Sequence, residues 1–172
     1  MFKKYLAKLS FKVILKELLI TLVLIAVVSN IVSYLRKPNV QTSALTAQTF
    51  TLLDGSKYTS SNNTGPLMVH FWATWCPVCK TEEGNIARVS QYYNVVSVAV
   101  KSGSDSEVKT FLKENEITFN TMNDRKGTLS YKYDVNVFPT TFIYDKKGEL
   151  VFSEVGYTST LGLFIRMWWA GL

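Results

Sequence analysis

Residues 67–79 read LMVHFWATWCPVC. The first six, Leu67–Trp72, form an apolar run of strand length, which predicts a central strand buried on both faces. The run leads into Cys76-Pro-Val-Cys79, and Pro77 suits the first turn of a helix, where its missing N–H is not needed. The stretch therefore predicts a buried strand that leads into a helix with a cysteine at its N-terminus.

That placement favours thiolate chemistry at Cys76. Free backbone N–H groups and the dipole at a helix start stabilise negative charge, and they lower a cysteine pKa from about 8.5 to about 3.5–7.5. Cys79 lies one turn further on the same face, close enough to form a disulfide. We expect Cys76 to attack a partner disulfide, and Cys79 to resolve the mixed disulfide. The reverse sequence oxidises a dithiol.

The composition disfavours most other uses of the cysteine pair. The chain has only two cysteines and one histidine, too few for a four-ligand zinc site without carboxylates. Haem attachment needs a histidine where Lys80 stands. A purely structural disulfide across so short a loop gains only about 2 kcal/mol in the entropy model. A copper(I) site on Cys76 and Cys79 is chemically sound and stays open as an alternative.

The order of elements in the rest of the chain predicts an α/β fold with a mixed sheet flanked by helices. Further strands are predicted at Thr49–Leu53, Val95–Val100, Phe119–Met122, Thr140–Tyr144 and Leu150–Val155, the last two as an antiparallel hairpin. Helices are predicted from Pro77 to about Tyr92, after the capping box Ser104-x-x-Glu107 to Glu114, over Lys126–Tyr133, and from Thr158–Thr160 onward. One of Trp168 and Trp169 is expected to pack against the core.

The net charge of +6 comes entirely from the N-terminal part of the chain. Residues 1–37 contain seven basic residues and one acid, whereas the remaining residues contain twelve of each sign. Nucleic-acid binding would need a basic patch in the globular part, so no nucleic-acid partner is expected.

These basic residues flank a long apolar stretch, and they predict a membrane anchor. Leu18–Leu35 has no charged residue and is nearly as long as the roughly 20 residues that span a bilayer. The lysine-rich side is expected to stay in the cytoplasm. The predicted organisation is a basic cytoplasmic tail at 1–12, a transmembrane anchor or uncleaved signal at 13–35, a linker at 36–47 and a globular domain at 48–172.

Five short motifs carry a family resemblance. Phe71-Trp-Ala-Thr-Trp-Cys-Pro-Val-Cys79, with Val137-Phe-Pro-Thr140 about 60 residues later, resembles the thioredoxin-like fold. Glu82-Glu83-Gly84 and the N-terminal anchor are similar to the TlpA-like branch. Ser102-Gly-Ser-Asp-Ser106 and Glu154-Val-Gly-Tyr-Thr158 most resemble the suppressor-for-copper-sensitivity D (ScsD) type. That type comprises bacterial, membrane-anchored, periplasm-facing disulfide oxidoreductases.

The resemblance implies roles for residues around the cysteines. Pro139 is expected to be cis and to lie opposite them, and its neighbours Phe138 and Thr140 to shape substrate recognition. Trp75, Pro77 and Val78 are expected to tune the thiols.

Two further residues have two interpretations each. His70 stands where thioredoxins carry a buried Asp, so it either helps to move the proton of Cys79 or is a hydrogen-bonded core residue. Glu82 matches a family acid near the site, and it either tunes the thiols or is simply an acid in the first helical turn.

The resemblance also implies the activity and its setting. It favours a thiol:disulfide oxidoreductase that reduces periplasmic protein disulfides and needs no bound cofactor, with a disulfide-forming oxidant as the alternative direction. The expected location is the bacterial inner membrane, crossed once by residues 13–35, with the C-terminal domain in the periplasm. Electrons are expected from a membrane thiol carrier, because the periplasm has no redox buffer that sets its poise.

Overall fold

The computed structural model describes residues 11–35 and 48–172. The chain divides into two units between Arg36 and Lys37. In the first unit, helix α1 runs from Phe11 to Leu35, and it contains the charged residues Lys12, Lys16 and Glu17.

Among the described residues, no helix combines the length and apolarity that a membrane crossing requires. The transmembrane span predicted for residues 13–35 is therefore not confirmed. The first ten residues of the predicted tail and the whole predicted linker, 36–47, lie outside the described residues.

The second unit contains a small hairpin and a five-stranded sheet. The hairpin pairs β1 (Thr49–Thr51) with β2 (Lys57–Thr59), and a short 3₁₀ turn at Ser60–Asn62 follows it. The five strands of the sheet are β3 (Leu67–Trp72), β4 (Asn94–Val100), β5 (Asn120–Asp124), β6 (Thr140–Tyr144) and β7 (Leu150–Val155). Their order across the sheet is β5-β4-β3-β6-β7.

The sheet is mixed, as the sequence predicts. Strands β3, β4 and β5 are parallel, β6 runs antiparallel to β3, and β7 antiparallel to β6. All six residues of β3 are buried, because the strand is central and both faces of the sheet are covered. The predicted central strand is therefore confirmed.

Within residues 48–172 the structure has four α-helices: α2 (Pro77–Ser90), α3 (Asp105–Glu114), α4 (Thr128–Lys132) and α5 (Thr160–Ala170). The predicted capping box of α3 is present in both directions between Ser104 and Glu107. Helix α4 is shorter than the predicted Lys126–Tyr133, because Gly127 before it has a φ of 74° and interrupts the helical backbone.

The two faces of β3 pack into separate cores. Met68 and Trp72 contribute to a cluster with α2, α3 and α5, whereas Val69 and Phe71 pack with residues of the hairpin and of α4. The expected packing of one C-terminal indole is wrong. Trp168 and Trp169 are both more than half exposed, since the buried face of α5 carries Leu163, Met167 and Ala170.

Candidate functional site

The two cysteines lie where β3 ends and α2 begins. Cys76 is the N-cap of α2, with φ −90° and ψ 112°, and Pro77 takes the first helical turn as predicted. The backbone N–H of Cys79 donates to Cys76 Sγ over 3.2 Å. An N-cap acceptor satisfies a donor that the helix leaves unpaired. The same N–H would stabilise a thiolate on Cys76 after reduction.

Cys76 and Cys79 are joined by a disulfide, with their Cα atoms 5.3 Å apart. Cys79 is fully buried, whereas Cys76 keeps 5% of its surface exposed. Of the two cysteines, Cys76 is therefore the one that a partner can reach, as the sequence predicts.

Exposed side chains surround Cys76. Trp75 and Val78 are 58% and 44% exposed, and Pro77 is also exposed. The indole Nε1–H of Trp75 donates to the carbonyl of Lys101 over 3.2 Å. Its ring meets the Phe138 ring edge-on, with centroids 5.8 Å apart. The largest side chain at this rim is thus fixed by two other loops.

The loop before β6 lies against the cysteines. The Phe138–Pro139 peptide bond is cis, as the resemblance implies. The carbonyl oxygen of Phe138 lies 3.6 Å from Cys76 Sγ. Pro139 is buried, and its carbonyl accepts the Gly156 N–H over 2.8 Å. Of the predicted recognition residues, Phe138 therefore contacts the Cys76 sulfur, and Pro139 follows it in the same loop.

Thr140 lies deeper than its neighbours. Its side chain is 1% exposed, and its hydroxyl donates to the Val137 carbonyl over 2.7 Å. Its backbone pairs with Phe71 on one side and Val155 on the other. The Thr140 side chain therefore supports the loop from beneath.

Glu82 is buried in α2, one turn after Cys79. Its Oε1 accepts the Thr158 N–H over 2.8 Å, while Oε2 is buried and has no hydrogen-bond partner among the described residues. Burial raises the pKa of Glu82 to about 7, although the Thr158 hydrogen bond opposes the shift. The first-turn interpretation of Glu82 is wrong, because the first turn of α2 contains no acid.

Glu83 is a second buried carboxylate, and within the described part of the chain its Oε1 has no hydrogen-bond partner. Burial raises its pKa to about 7, against the attraction of Lys80. The sequence suggested only a favourable acid near a helix start, and no residue pattern marked this side chain as buried.

His70 is buried in β3, and its Nδ1 lies 2.9 Å from Thr141 Oγ1. Burial lowers the pKa of His70 to about 3, so the ring is neutral near pH 7. The geometry agrees with a hydrogen-bonded core histidine. The lowered pKa argues against the other interpretation, in which the ring titrates near neutral pH and helps to move the proton of Cys79.

Three residues that hold site groups were not predicted as site residues, namely Lys101, Thr141 and Thr158, although Thr158 ends one of the family motifs. For Lys101 a signal exists, because it directly follows parallel strand β4, and ligands bind beside the carboxyl ends of such strands. Thr141 and Thr158 contact their partners across more than 70 positions, so no local pattern reveals them. Within residues 11–35 and 48–172, no group of three or more His, Cys, Asp or Glu could hold a metal ion.

Comparisons with known proteins agree with this geometry. Residues 43–153 match the AhpC/TSA family. A Haemophilus influenzae thioredoxin-like protein is 32% identical over 92% of this chain and 96% of its own length. The Bacillus subtilis sporulation thiol-disulfide oxidoreductase A is 30% identical over 60% of this chain and 67% of its own.

The solved structures show the fold. The crystal structure of StoA from Bacillus subtilis superposes with a TM-score of 0.62 at 25% identity. The match covers 69% of this chain and 94% of that one. The fold of the second unit is therefore thioredoxin-like, with a mixed sheet and flanking helices.

Proposed function

This chain belongs to the AhpC/TSA family and is a thiol-disulfide oxidoreductase, and we propose that it reduces protein disulfides outside the cytoplasm. The observation that carries the proposal is the position of Cys76. Its sulfur is bonded to Cys79, accepts a helix-cap N–H, and lies 3.6 Å from a loop carbonyl at an exposed rim.

In the reduced protein, the Cys76 thiolate attacks one sulfur of the substrate disulfide. A Cys76–substrate disulfide forms, the substrate S–S bond breaks, and the second substrate sulfur leaves as a thiolate. Cys79 then loses its proton and attacks Cys76 Sγ. The Cys76–Cys79 disulfide forms and the first substrate sulfur leaves, so two electrons pass from the dithiol to the substrate.

The neighbouring residues support these steps. The Cys79 N–H holds the thiolate of Cys76, and Trp75, Pro77 and Val78 surround it. Glu82 has a raised pKa and lies one turn beyond Cys79, which suits it to tune the second thiol. His70 acts as a structural support behind the site, through Thr141.

Substrate binding falls to the loop before β6. The Phe138 carbonyl faces Cys76, so an extended substrate segment would lie along Phe138 and Pro139. Thr140 contributes through the backbone pairing that holds this loop in place.

The setting of the reaction is part of the same proposal. A catalyst that donates electrons must be re-reduced, and a membrane thiol carrier is the expected donor. The charge asymmetry around residues 13–35 supports attachment to the inner membrane with the domain in the periplasm. A secreted disulfide oxidoreductase among the similar solved structures is consistent with an extracytoplasmic location. No bound cofactor and no nucleic acid take part.

The test uses the full chain, reduced and mixed with a disulfide-bonded protein such as insulin. The wild type should reduce insulin, and Cys79→Ser should accumulate a mixed disulfide at Cys76. Cys76→Ser is the matched control and should do neither. Absence of both turnover and trapping would refute the proposal.

Copper(I) binding on Cys76 and Cys79 is the alternative from another class, and the same samples can test it. A reduced wild type that turns over insulin and loses copper(I) to a strong chelator is an oxidoreductase. A protein that keeps copper(I) against the chelator and shows no turnover would instead be a copper-binding thiol protein.

A further inference from the structure

A cleft of about 480 Å³ includes Phe138, whose carbonyl oxygen faces Cys76 Sγ, in its lining. Its walls include Lys101, after β4, and Lys126, Thr128 and Tyr131 around α4. We refer to it as the lysine cleft. None of the predicted site residues except Phe138 belongs to it.

Two contacts connect the lining of the lysine cleft to Cys76 and to its neighbour Trp75. Phe138 lines the cleft, and its carbonyl oxygen lies 3.6 Å from Cys76 Sγ. Lys101 lines it as well, and the Lys101 carbonyl accepts the Trp75 indole N–H. An extended chain advances about 3.3–3.6 Å per residue. An extended substrate that has its cysteine at Cys76 and continues along Phe138 would therefore bring residues two or three positions away to the cleft.

Among the residues that the structure describes, the lining of the cleft holds two basic side chains and no acidic one. Lys101 and Lys126 are both exposed. In the described part of the chain, neither ammonium group forms an ion pair with a carboxylate. Because residues 38–172 are electrically neutral as a whole, this excess is a local property of the cleft.

Lys101 is also held in place along the wall. A Cβ at Gly127 would lie 2.7 Å from Lys101 Cε and 3.6 Å from Nζ, so the lysine side chain lies directly against that glycine. The nearby carboxylate of Asp124 is buried and accepts the Ser130 N–H over 2.8 Å. It is therefore engaged beneath α4 and does not line the cleft.

We propose that the lysine cleft is a specificity subsite that binds an aspartate or glutamate side chain two or three residues from the substrate cysteine. The acidic side chain would lie between the two ammonium groups, with Tyr131 and Phe138 covering the adjoining backbone. The inference rests on the proposed function, because it assigns a substrate preference to that same site.

The experiment uses the reduced full chain and three short cysteine peptides that differ at one position, two residues from the cysteine. That position is Asp, Ser or Lys, and each peptide thiol carries thionitrobenzoate as a mixed disulfide. Attack of Cys76 on the peptide sulfur forms a Cys76–peptide disulfide and releases coloured thionitrobenzoate. The measured quantity is the second-order rate constant of release.

At low ionic strength the Asp peptide should react about tenfold faster than the Lys peptide, the lower end of electrostatic rate effects. The ratio should shrink strongly at about 1 M salt, where the Debye length is about 3 Å. In the double variant Lys101→Gln and Lys126→Gln, the rate constants for the Asp and Lys peptides should differ by no more than about twofold. Each single variant should give a ratio between that of the double variant and that of the wild type.

The matched control is Lys146→Gln with Lys147→Gln, which removes the same charge from the exposed turn between β6 and β7, away from Phe138. This variant should keep the wild-type ratio. If the control variant lost the preference for the Asp peptide to the same extent, the preference would come from the overall positive charge of the protein, and the proposed subsite would be refuted. A wild-type ratio below about twofold at low salt would also refute it. Failure of the wild type to react with the Ser peptide would instead refute the proposed function.

Discussion

Cys76 Sγ lies 3.6 Å from the carbonyl oxygen of Phe138, although 62 positions separate the two residues in the chain. The contact joins the start of α2 to the loop before β6, because β3 and β6 are neighbours in the sheet. It brings the Phe138 carbonyl, the Phe138 ring and the Cys76 sulfur together at one edge of the sheet. The Phe138 ring also holds Trp75, so the rim of the site depends on this loop.

The ring contact between Trp75 and Phe138 predicts a measurable coupling. Aromatic pairs in edge-to-face contact are worth about 0.5–1.5 kcal/mol beyond their burial. In a double-mutant cycle with Trp75→Ala and Phe138→Ala, we expect a coupling in that range in the free energy of unfolding, measured with urea on the disulfide form. Trp75→Ala combined with Val151→Ala, on edge strand β7, should be additive. A coupling near zero for the aromatic pair would contradict the prediction.

Glu82→Gln is expected to change how stability depends on pH. The pKa of Glu82 is raised to about 7 in the folded protein, so the folded state holds the proton more tightly than the unfolded state. Its contribution to stability is therefore present below the ordinary carboxyl pKa and is lost as pH rises towards 7.

The glutamine variant stays neutral and can still accept the Thr158 N–H. At pH 8 it should be more stable than the wild type by about 1–3 kcal/mol, and near pH 4 the difference should vanish. Urea unfolding of the disulfide form at both pH values measures this. Glu149→Gln, at an exposed position, is the control. Equal stability of Glu82→Gln and wild type at pH 8 would show that the buried carboxylate carries no such penalty.

His70→Asn should leave the pH profile of thiol exchange in place. Because burial lowers the pKa of His70 to about 3, the ring does not change charge between pH 5 and 9. We expect the midpoint of the exchange rate with pH to match the wild type. A displacement of about one pH unit, equal to about 1.4 kcal/mol, would indicate a role in proton transfer.

The same histidine should matter for stability. Thr141→Val removes the hydroxyl 2.9 Å from Nδ1 and leaves a buried ring nitrogen without this partner, at a cost of about 1–3 kcal/mol. The pKa of His70 is lower in the folded state than in the unfolded chain. Its contribution to stability is therefore present above the ordinary histidine pKa and is lost as pH falls towards 3. Urea unfolding of Thr141→Val at pH 7 checks the first effect, and a cost below about 0.5 kcal/mol would contradict it.

The direction of electron flow is measured by the reduction potential of the Cys76–Cys79 pair in defined thiol buffers. A reductant should have a value near about −270 mV, as thioredoxin does. A value near about −120 mV, as for DsbA, would mean an oxidant. That outcome would overturn the proposed direction and leave the exchange chemistry intact.

Most of the secondary structure could be predicted because its signals are local. The apolar run Leu67–Trp72 and the Ser104–Glu107 capping box each lie within a few residues, and both are confirmed. Boundaries shifted where a single residue interrupts the backbone, as at Gly127 before α4. The prediction that one of Trp168 and Trp169 packs against the core was wrong, because their exposure depends on which face of α5 meets the sheet.

The sequence by itself determined that a Cys-x-x-Cys pair stands at the start of a helix after a buried strand, since cap, proline and strand are adjacent in the chain. Only the tertiary structure decided what surrounds it. Phe138 reaches Cys76, Thr141 reaches His70 and Thr158 reaches Glu82 across 62, 71 and 76 positions. Such contacts follow from strand order and helix packing, which bring distant residues to one edge of the sheet, and burial there sets the charge of His70 and Glu82.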